Sequence, residues 1–300
     1  MALKPLQHPL LLLLLVCFLV AQATAVGHHA AFDYIQGLKG CHKGQKNVTH
    51  LHSLKAYLAR FGYPCSKKHL HDDDFDASLE AAIKAYQINY HLKPTGSLNT
   101  ETVSQMVKPR CGCPDVVNRT LQMESGMLKY SKRGLHTVAH YSFFNGRPRW
   151  PLAKTHLRFA FLPNLPNYAR QPIFNAFGQW DAGSRFTFQF VTDLSQADLT
   201  VGFYHGNHGD GSAFDGPGGV LAHAFAPTNG RMHFDATENW TIHPLRNAMH
   251  IETVAVHEIG HLLGLGHSTV REAVMYPTIP TGVNKLLHAD DREGVRVLYL

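Results

Sequence analysis

The chain has 300 residues, with 28 Lys and Arg against 22 Asp and Glu for a formal net charge of +6, and 44% hydrophobic residues. That length allows one to three domains, and the apolar content is that of a globular chain rather than a disordered one. The basic excess belongs to residues 1–149, which hold 18 basic against 9 acidic side chains, while residues 150–300 hold 10 against 13. It forms no stripe interleaved with aromatics, so a nucleic-acid partner is not expected.

Residues 1–25 read as a removed signal peptide: Lys4, a continuous apolar run over 10–20, then Ala23-Thr24-Ala25 as a small-residue cleavage site. The run is too short to span a bilayer. No second apolar stretch of that length occurs and Leu298-Tyr299-Leu300 is no lipid-anchor signal, so a secreted chain without a membrane anchor is expected. Secretion makes disulfides possible for Cys41, Cys65, Cys111 and Cys113. Cys41 and Cys65 bracket one predicted helix and are the preferred pair among three connectivities. Asn47, Asn118 and Asn239 each open a glycosylation sequon.

Helical apolar spacing predicts helices over 52–61, ending at Gly62, and 77–90, with Leu79, Ile83, Tyr86 and Gln87 on one face. A third is predicted over 99–106, capped by Asn99 or Thr100. Residues 26–107 thus read as a small helical bundle. Residues 108–149 carry scattered Gly and Pro and read as a linker, with Lys132-Arg133 either a processing point or an ordinary solvated pair.

The last domain is expected over 150–300. Strands are predicted at 156–162, 186–191, 198–204, 219–226 and 232–235, and helices at 169–180, 249–263 and 289–298. This order suggests a mostly parallel sheet covered by helices.

Two clusters in this domain carry metal chemistry. Between 205 and 238 stand His208, Asp210, His223 and His233, able to offer N and O ligands to a closed tetrahedral zinc. Asp215-Gly216-Pro217-Gly218-Gly219 lies among them, with Asp235 and Glu238 after, an oxygen-rich set of the kind calcium prefers. The alternative is a polar loop with incidental histidines. The second cluster is sharper. His257 and His261 are four residues apart, on one face of a helix, and can share one zinc. An unbroken helix would carry His267 about 9 Å further along the axis and off that face. Gly264 is where the chain can turn back, since glycine tolerates positive φ. Three protein ligands leave a fourth vertex for water, the layout of a catalytic zinc. Glu258 sits beside the metal and is placed to act as general base.

With these residues in view, the chain resembles the matrix metalloproteinases of the metzincin clan, most of all the secreted plant members without a hemopexin-like domain. The resemblance rests on the histidine run 257–267 with the methionine turn at Met275, and on Pro109-Arg110-Cys111-Gly112-Cys113-Pro114-Asp115, which is similar to the family's cysteine-switch motif. It covers nearly everything after residue 25. It implies an α+β fold: a helical propeptide akin to peptidoglycan-binding modules, then a protease domain with a twisted, mostly parallel five-stranded sheet and three helices. It implies Cys111 as the fourth ligand of the catalytic zinc in a latent form, and Met275 as packing beneath that zinc. It further implies structural zinc at His208, Asp210, His223 and His233. Calcium is implied at Asp215, Gly216, Gly218, Val220, Asp235, Glu238 and Asp198. Cys113 stands where the family usually has an apolar residue.

The expected function is therefore a secreted zinc endopeptidase made as a zymogen. It would be monomeric and act on extracellular proteins or peptides, with Glu258 taking the proton of a zinc-bound water. The resemblance implies a substrate antiparallel to residues 220–225 and a pocket walled by 277–287. A metal-stabilised binding or inhibitory protein is the alternative, and retention of Glu258 argues against it. A third reading makes 32–107 a cell-wall carbohydrate binder, which suits the cysteine motif that follows less well than an inhibitory role.

Overall fold

The computed structural model describes residues 31–63, 65–117, 120–121 and 140–300. The expected signal segment, Asn118 and the Lys132-Arg133 step lie outside these residues.

The N-terminal unit is the expected bundle: a 3-10 turn at Asp33–Leu38, then α1 (Leu51–Arg60), α2 (Ala77–Asn89) and α3 (Thr100–Met106). Asp76 caps α2 by accepting from Leu79 N at 2.7 Å, and Asn99 caps α3 by accepting from Thr102 N at 2.9 Å. Their apolar faces bury Leu54, Leu58, Leu79, Ile83, Tyr86 and Met106 in one core. That core is completed by Phe214, Val220 and Tyr276 of the C-terminal domain, so the two units meet across shared apolar packing. Gly62 ends α1 at φ +89°, and a Cβ there would lie 1.8 Å from Val116 O. Glycine thus lets residues 115 and 116 approach and donate to Phe61 O at 3.0 and 3.2 Å.

The expected Cys41–Cys65 bond is not formed, and all four cysteines of the described residues are free. Cys41 is buried and exchanges backbone bonds with Leu38 and Leu98, whereas Cys65 lies near Lys55 and Asp76. Bracketing one helix did not bring the two sulfurs together.

The main sheet has six strands: β1 (Arg110–Cys111), β2 (His156–Phe161), β3 (Thr187–Phe190), β4 (Leu199–Tyr204), β5 (Val220–Ala224) and β6 (Arg231–Asp235). Their spatial order is β1-β5-β6-β4-β2-β3. Only β5 with β6 is antiparallel. Five strands belong to the C-terminal domain as expected, and the sixth is a two-residue strand from the segment after the bundle. It pairs parallel to β5 with Arg110 opposite Val220 and Cys111 opposite Ala222.

Helices α4 (Asn167–Gly183) and α5 (Ile251–Leu262) pack together beside this sheet, and α6 (Ala289–Leu298) closes the chain. Residues 140–149, expected within the linker, belong to this domain. Tyr141 and Phe143 are buried in its core, and Gly266 N donates to Ser142 O at 2.8 Å. Gly146 and Pro148 mark a local turn there rather than a boundary.

Candidate metal centre

Helix α5 is buried along almost its whole length, from Thr253 to Leu262. An all-buried helix belongs inside a core, and here two tryptophans bond its carbonyls. Trp180 Nε1 donates to Val256 O at 2.8 Å and Trp150 Nε1 to Leu262 O at 2.9 Å. The helix ends in a Schellman turn, with Leu265 N donating to Gly260 O at 3.0 Å and Gly264 N to His261 O at 2.9 Å. Gly264 has φ +99°, as a reversal there requires, and a Cβ would lie 2.5 Å from Pro148 O.

That reversal returns His267 to the face carrying His257 and His261. Ring centroids lie 4.8 Å apart for His257 and His261, 5.0 Å for His261 and His267, and 5.4 Å for His257 and His267. Each Nδ1–H is committed: His257 donates to Val274 O at 2.7 Å, His261 to Leu265 O at 2.8 Å, and His267 to Asp115 Oδ1 at 3.0 Å. Burial favours the neutral form of His257 and His267, so their Nε2 atoms carry bare lone pairs. The Nε2 atoms of His257 and His261 lie 3.1 Å apart, and that of His267 has no partner although fully buried. Lone pairs gathered in a dry site repel one another, and a cation bound by imidazole resolves this. The donor set fits zinc.

Cys111 supplies a fourth donor: its Sγ lies 3.4 Å from His261 Nε2, and its ligand atom and those of the three histidines all lie within 4.8 Å of one another. The segment around it is clamped on both sides. Cys111 N donates to Pro277 O at 2.9 Å, Gly112 N to Ala222 O at 2.8 Å, and Ile279 N to Pro109 O at 3.0 Å. The segment runs parallel to β5, the reverse of the direction expected for a substrate.

Glu258 is fully buried and neither of its carboxylate oxygens has a partner. Burial pushes it up to about 8, so it stands ready to hold a proton. Met275 lies under the helix, where a Cβ on Gly260 would meet its Sδ at 2.2 Å. Asp291 fixes the methionine turn by accepting from Val274 N at 3.0 Å and Met275 N at 3.2 Å.

Sequence reasoning quoted Arg110 and Asp115 but gave them no role. Both are fully buried and form a two-pronged ion pair, Nη2 to Oδ1 at 2.7 Å and Nη1 to Oδ2 at 3.1 Å. Arg110 also lies 3.5 Å over the Phe61 ring, and Tyr63 and Tyr90 donate to Asp115 Oδ2 at 2.9 and 3.1 Å. Nothing in the spacing of Tyr63 or Tyr90 announces this. The bidentate match of a nearby Arg and Asp was the one available signal.

The second cluster also converges. Asp210 Oδ2 lies 2.8 Å from His208 Nε2, 2.7 Å from His223 Nε2 and 2.8 Å from His233 Nδ1. Four ligand atoms on one point suit a closed tetrahedral ion. Nearby, Asp235 adds to the cost of charging Asp215, and both add to that of Glu238. Burial first, then Asp235 and Asp215, push Glu238 up to about 7, and Asp235 Oδ2 is buried without a partner. Glu238 Oε1 accepts from Gly218 N at 2.8 Å, and Asp215 Oδ1 from Val220 N at 2.8 Å. Gly216 and Gly218 have φ of +93° and +77° and shape the turn between Asp215 and Val220. Asp198, expected among the calcium ligands, lies apart in sequence, just before β4. Its carboxylate is taken by Lys154 and by Arg158 N, which basic neighbours on β2 and before it made available. Asn47 and Asn239 are exposed.

The family model described as Matrixin matches residues 149–300, and the peptidoglycan binding domain model matches residues 50–106. The chain is 45% identical to Metalloendoproteinase 2-MMP of Arabidopsis thaliana over 284 residues, covering 89% of this chain and 75% of that protein. It is 40% identical to Metalloendoproteinase 1 of Glycine max over 313 residues, covering 100% and 99%. It is 37% identical to Matrilysin of Homo sapiens over 229 residues, covering 74% and 77%.

Proposed function

Because this chain belongs to the matrixin family of zinc metalloendopeptidases, we propose that it is made as a latent precursor in which Cys111 blocks the metal site. The observation that carries this reading is the thiol of Cys111 gathered with the three histidines. Burial pushes that thiol well up, so only a cation would keep its sulfur ionised there.

In the opened form His257, His261 and His267 would hold zinc through their Nε2 atoms, with the rings of His257 and His261 still oriented by Val274 O and Leu265 O. A zinc ion held there polarises a peptide carbonyl and acidifies a bound water. Glu258 takes the proton from the attacking water on its free carboxylate and hands it to the leaving amine. Met275 and Asp291 keep the floor beneath His257 rigid. An extended peptide pairs with β5 in place of residues 110–112, antiparallel, and its side chain enters a pocket bounded by residues 277–287. Because the blocking segment runs the other way, its own peptide bonds are presented in reverse and escape attack.

His208, Asp210, His223 and His233 hold a structural zinc. Asp215, Asp235 and Glu238, with carbonyls of Gly216, Gly218 and Val220, hold calcium. The leader-like residues 1–25 and the exposed sequons at Asn47 and Asn239 support secretion and glycosylation. Among the described residues no helix is long and apolar enough to cross a membrane.

The test is to purify the full-length chain, measure its zinc, and assay peptide-library cleavage before and after limited proteolysis between residues 117 and 140. Latency before and hydrolysis after are expected. A zinc-loaded protein inert in both states would return the reading to a metal-stabilised binding protein.

A further inference from the structure

Cys113 has no part in the function described above, yet it is sealed into the same cavity. It is buried, and its ligand atom lies within 4.8 Å of those of Cys111, Glu258 and His261. Its S–H donates to Ala224 O at 3.4 Å, and its backbone N–H donates to Cys111 Sγ at 3.3 Å. Two thiols this close to one another, beside a metal set that needs only one of them, are a second chemical option built into one loop.

We propose that Cys111 and Cys113 form a thiol–disulfide modification site, at which a small disulfide such as glutathione disulfide oxidises the pair and unblocks the metal centre without cutting the chain. This rests on the reading of Cys111 as the blocking thiol.

The geometry allows the bond. Residues two apart have Cα atoms at most about 7 Å apart, and disulfides accept about 4.4–6.8 Å. Gly112 between them has no side chain to obstruct contraction of the loop. The closed arrangement and the disulfide exclude each other: Cys111 Sγ points among the imidazoles at 3.4 Å from His261 Nε2, and turning it to Cys113 removes it from them. The sulfur is in one place or the other.

The step balances in two exchanges. The Cys111 thiolate attacks one sulfur of glutathione disulfide; a Cys111–glutathione bond forms, the reagent's S–S bond breaks, and one glutathione thiolate leaves. Cys113, giving its proton to that thiolate, then attacks the Cys111 sulfur and expels the second glutathione thiolate, which takes a proton from solvent. In sum two protein thiols become one disulfide, and one glutathione disulfide becomes two glutathiones. Both sulfurs are buried in the closed state, so the exchange occurs when residues 109–115 lift from β5. The disulfide traps that opening, because a sulfur already bonded cannot return to the metal.

The experiment treats the purified, zinc-loaded full chain with glutathione disulfide and follows three readouts: non-reducing peptide mapping, thiol count and peptide hydrolysis. Wild type should yield a Cys111–Cys113 linked peptide, lose both thiols, and rise from latency towards the activity of proteolysed protein with its chain intact. Dithiothreitol should reverse all three. Cys113→Ser should fold and stay latent, and under the same treatment should stop at the Cys111–glutathione adduct, with one glutathione retained per chain at residue 111 and no linked peptide. Two results overturn the proposal: both thiols still free when Cys65 has reacted, or the linked peptide formed while hydrolysis stays at the latent level. Proteolysed protein separates the causes. If it is active while the oxidised chain is not, only this inference fails; if it too is inert, the function proposed above fails.

Discussion

His267 donates its Nδ1–H to Asp115 Oδ1 across 3.0 Å, and both residues are completely buried. A carboxylate of the blocking segment therefore orients one of the three histidines of the metal set. The same carboxylate takes both prongs of Arg110, so the clamp that holds Cys111 in place and the tautomer of His267 depend on one side chain.

Asp115→Asn should open the latent form. The substitution leaves the Arg110 guanidinium buried without its counter-charge, a change that typically costs about 3–5 kcal/mol. Peptide hydrolysis by the full-length variant should rise above the parent's. After removal of the N-terminal unit, variant and parent should become indistinguishable, since residue 115 has left with it. Equal latency in the two full-length proteins would refute the clamp. Acid should act in the same direction. Burial alone would raise Asp115, but Arg110 and His267 override it and hold it well below the usual carboxylate range. A depressed value contributes stability above the unfolded value of about 3.9 and loses it as pH falls below that. Latency should persist down to about pH 4 and weaken beneath it.

Much of this site was legible from residue types at fixed spacing. His257, His261 and His267 could be assigned together because a helix, a glycine and a reversal are all local rules, and the cap at Asn99 placed the start of α3 within a residue. What was not legible depends on distant contacts. Residues 110–111 are a strand only because the β5 edge offers them partners, and Tyr63 and Tyr90 reach Asp115 only after the bundle docks. The contacts of Asp198 with Lys154 and Arg158 N were likewise not legible, because they depend on how β2 and β4 pair.

Glu258→Gln should retain zinc and lose hydrolysis. The glutamine keeps the shape of a side chain that is fully buried, so the metal set should survive and metal content should match the parent's. A positioned general base contributes about 10²–10⁴-fold, so turnover by the proteolysed variant should fall by that order. Near-parental turnover at full zinc content would remove Glu258 from the proton path.

Calcium should stabilise the chain more as pH rises from about 4.3 to about 7. Without a cation, Glu238 is pushed up to about 7 by burial and by Asp235 and Asp215, against about 4.3 unfolded. A raised carboxyl binds more protons folded than unfolded in that window, so the cation-free protein loses stability as pH climbs through it. A bound divalent ion removes the repulsion and needs the ionised form. Melting temperatures of zinc-loaded protein, measured with and without added calcium across this range, should diverge as pH increases. Parallel curves would mean that Asp215, Asp235 and Glu238 hold no calcium.

Gly260 and Gly264 should fail to tolerate alanine for different reasons, and the difference tests how the zinc helix is built. At Gly260 the backbone is helical and alanine is locally favourable. The obstacle is packing, because a Cβ would meet Met275 Sδ at 2.2 Å with Trp180 at 3.1 Å behind it. Overpacking of this kind costs about 1–3 kcal/mol, and a domain of this size loses about 2–4 °C of melting temperature per kcal/mol. Pairing Gly260→Ala with Met275→Ala should recover much of that loss, since a shorter side chain vacates the space. At Gly264 the obstacle is the backbone itself: φ is +99° and the nearest atom to a Cβ is Pro148 O at 2.5 Å. No shortened neighbour relieves a main-chain clash, so the same rescue should fail there. Because the turn carries His267 back to its partners, Gly264→Ala should also lower zinc content. Full zinc occupancy in that variant would show that the three histidines assemble without the reversal.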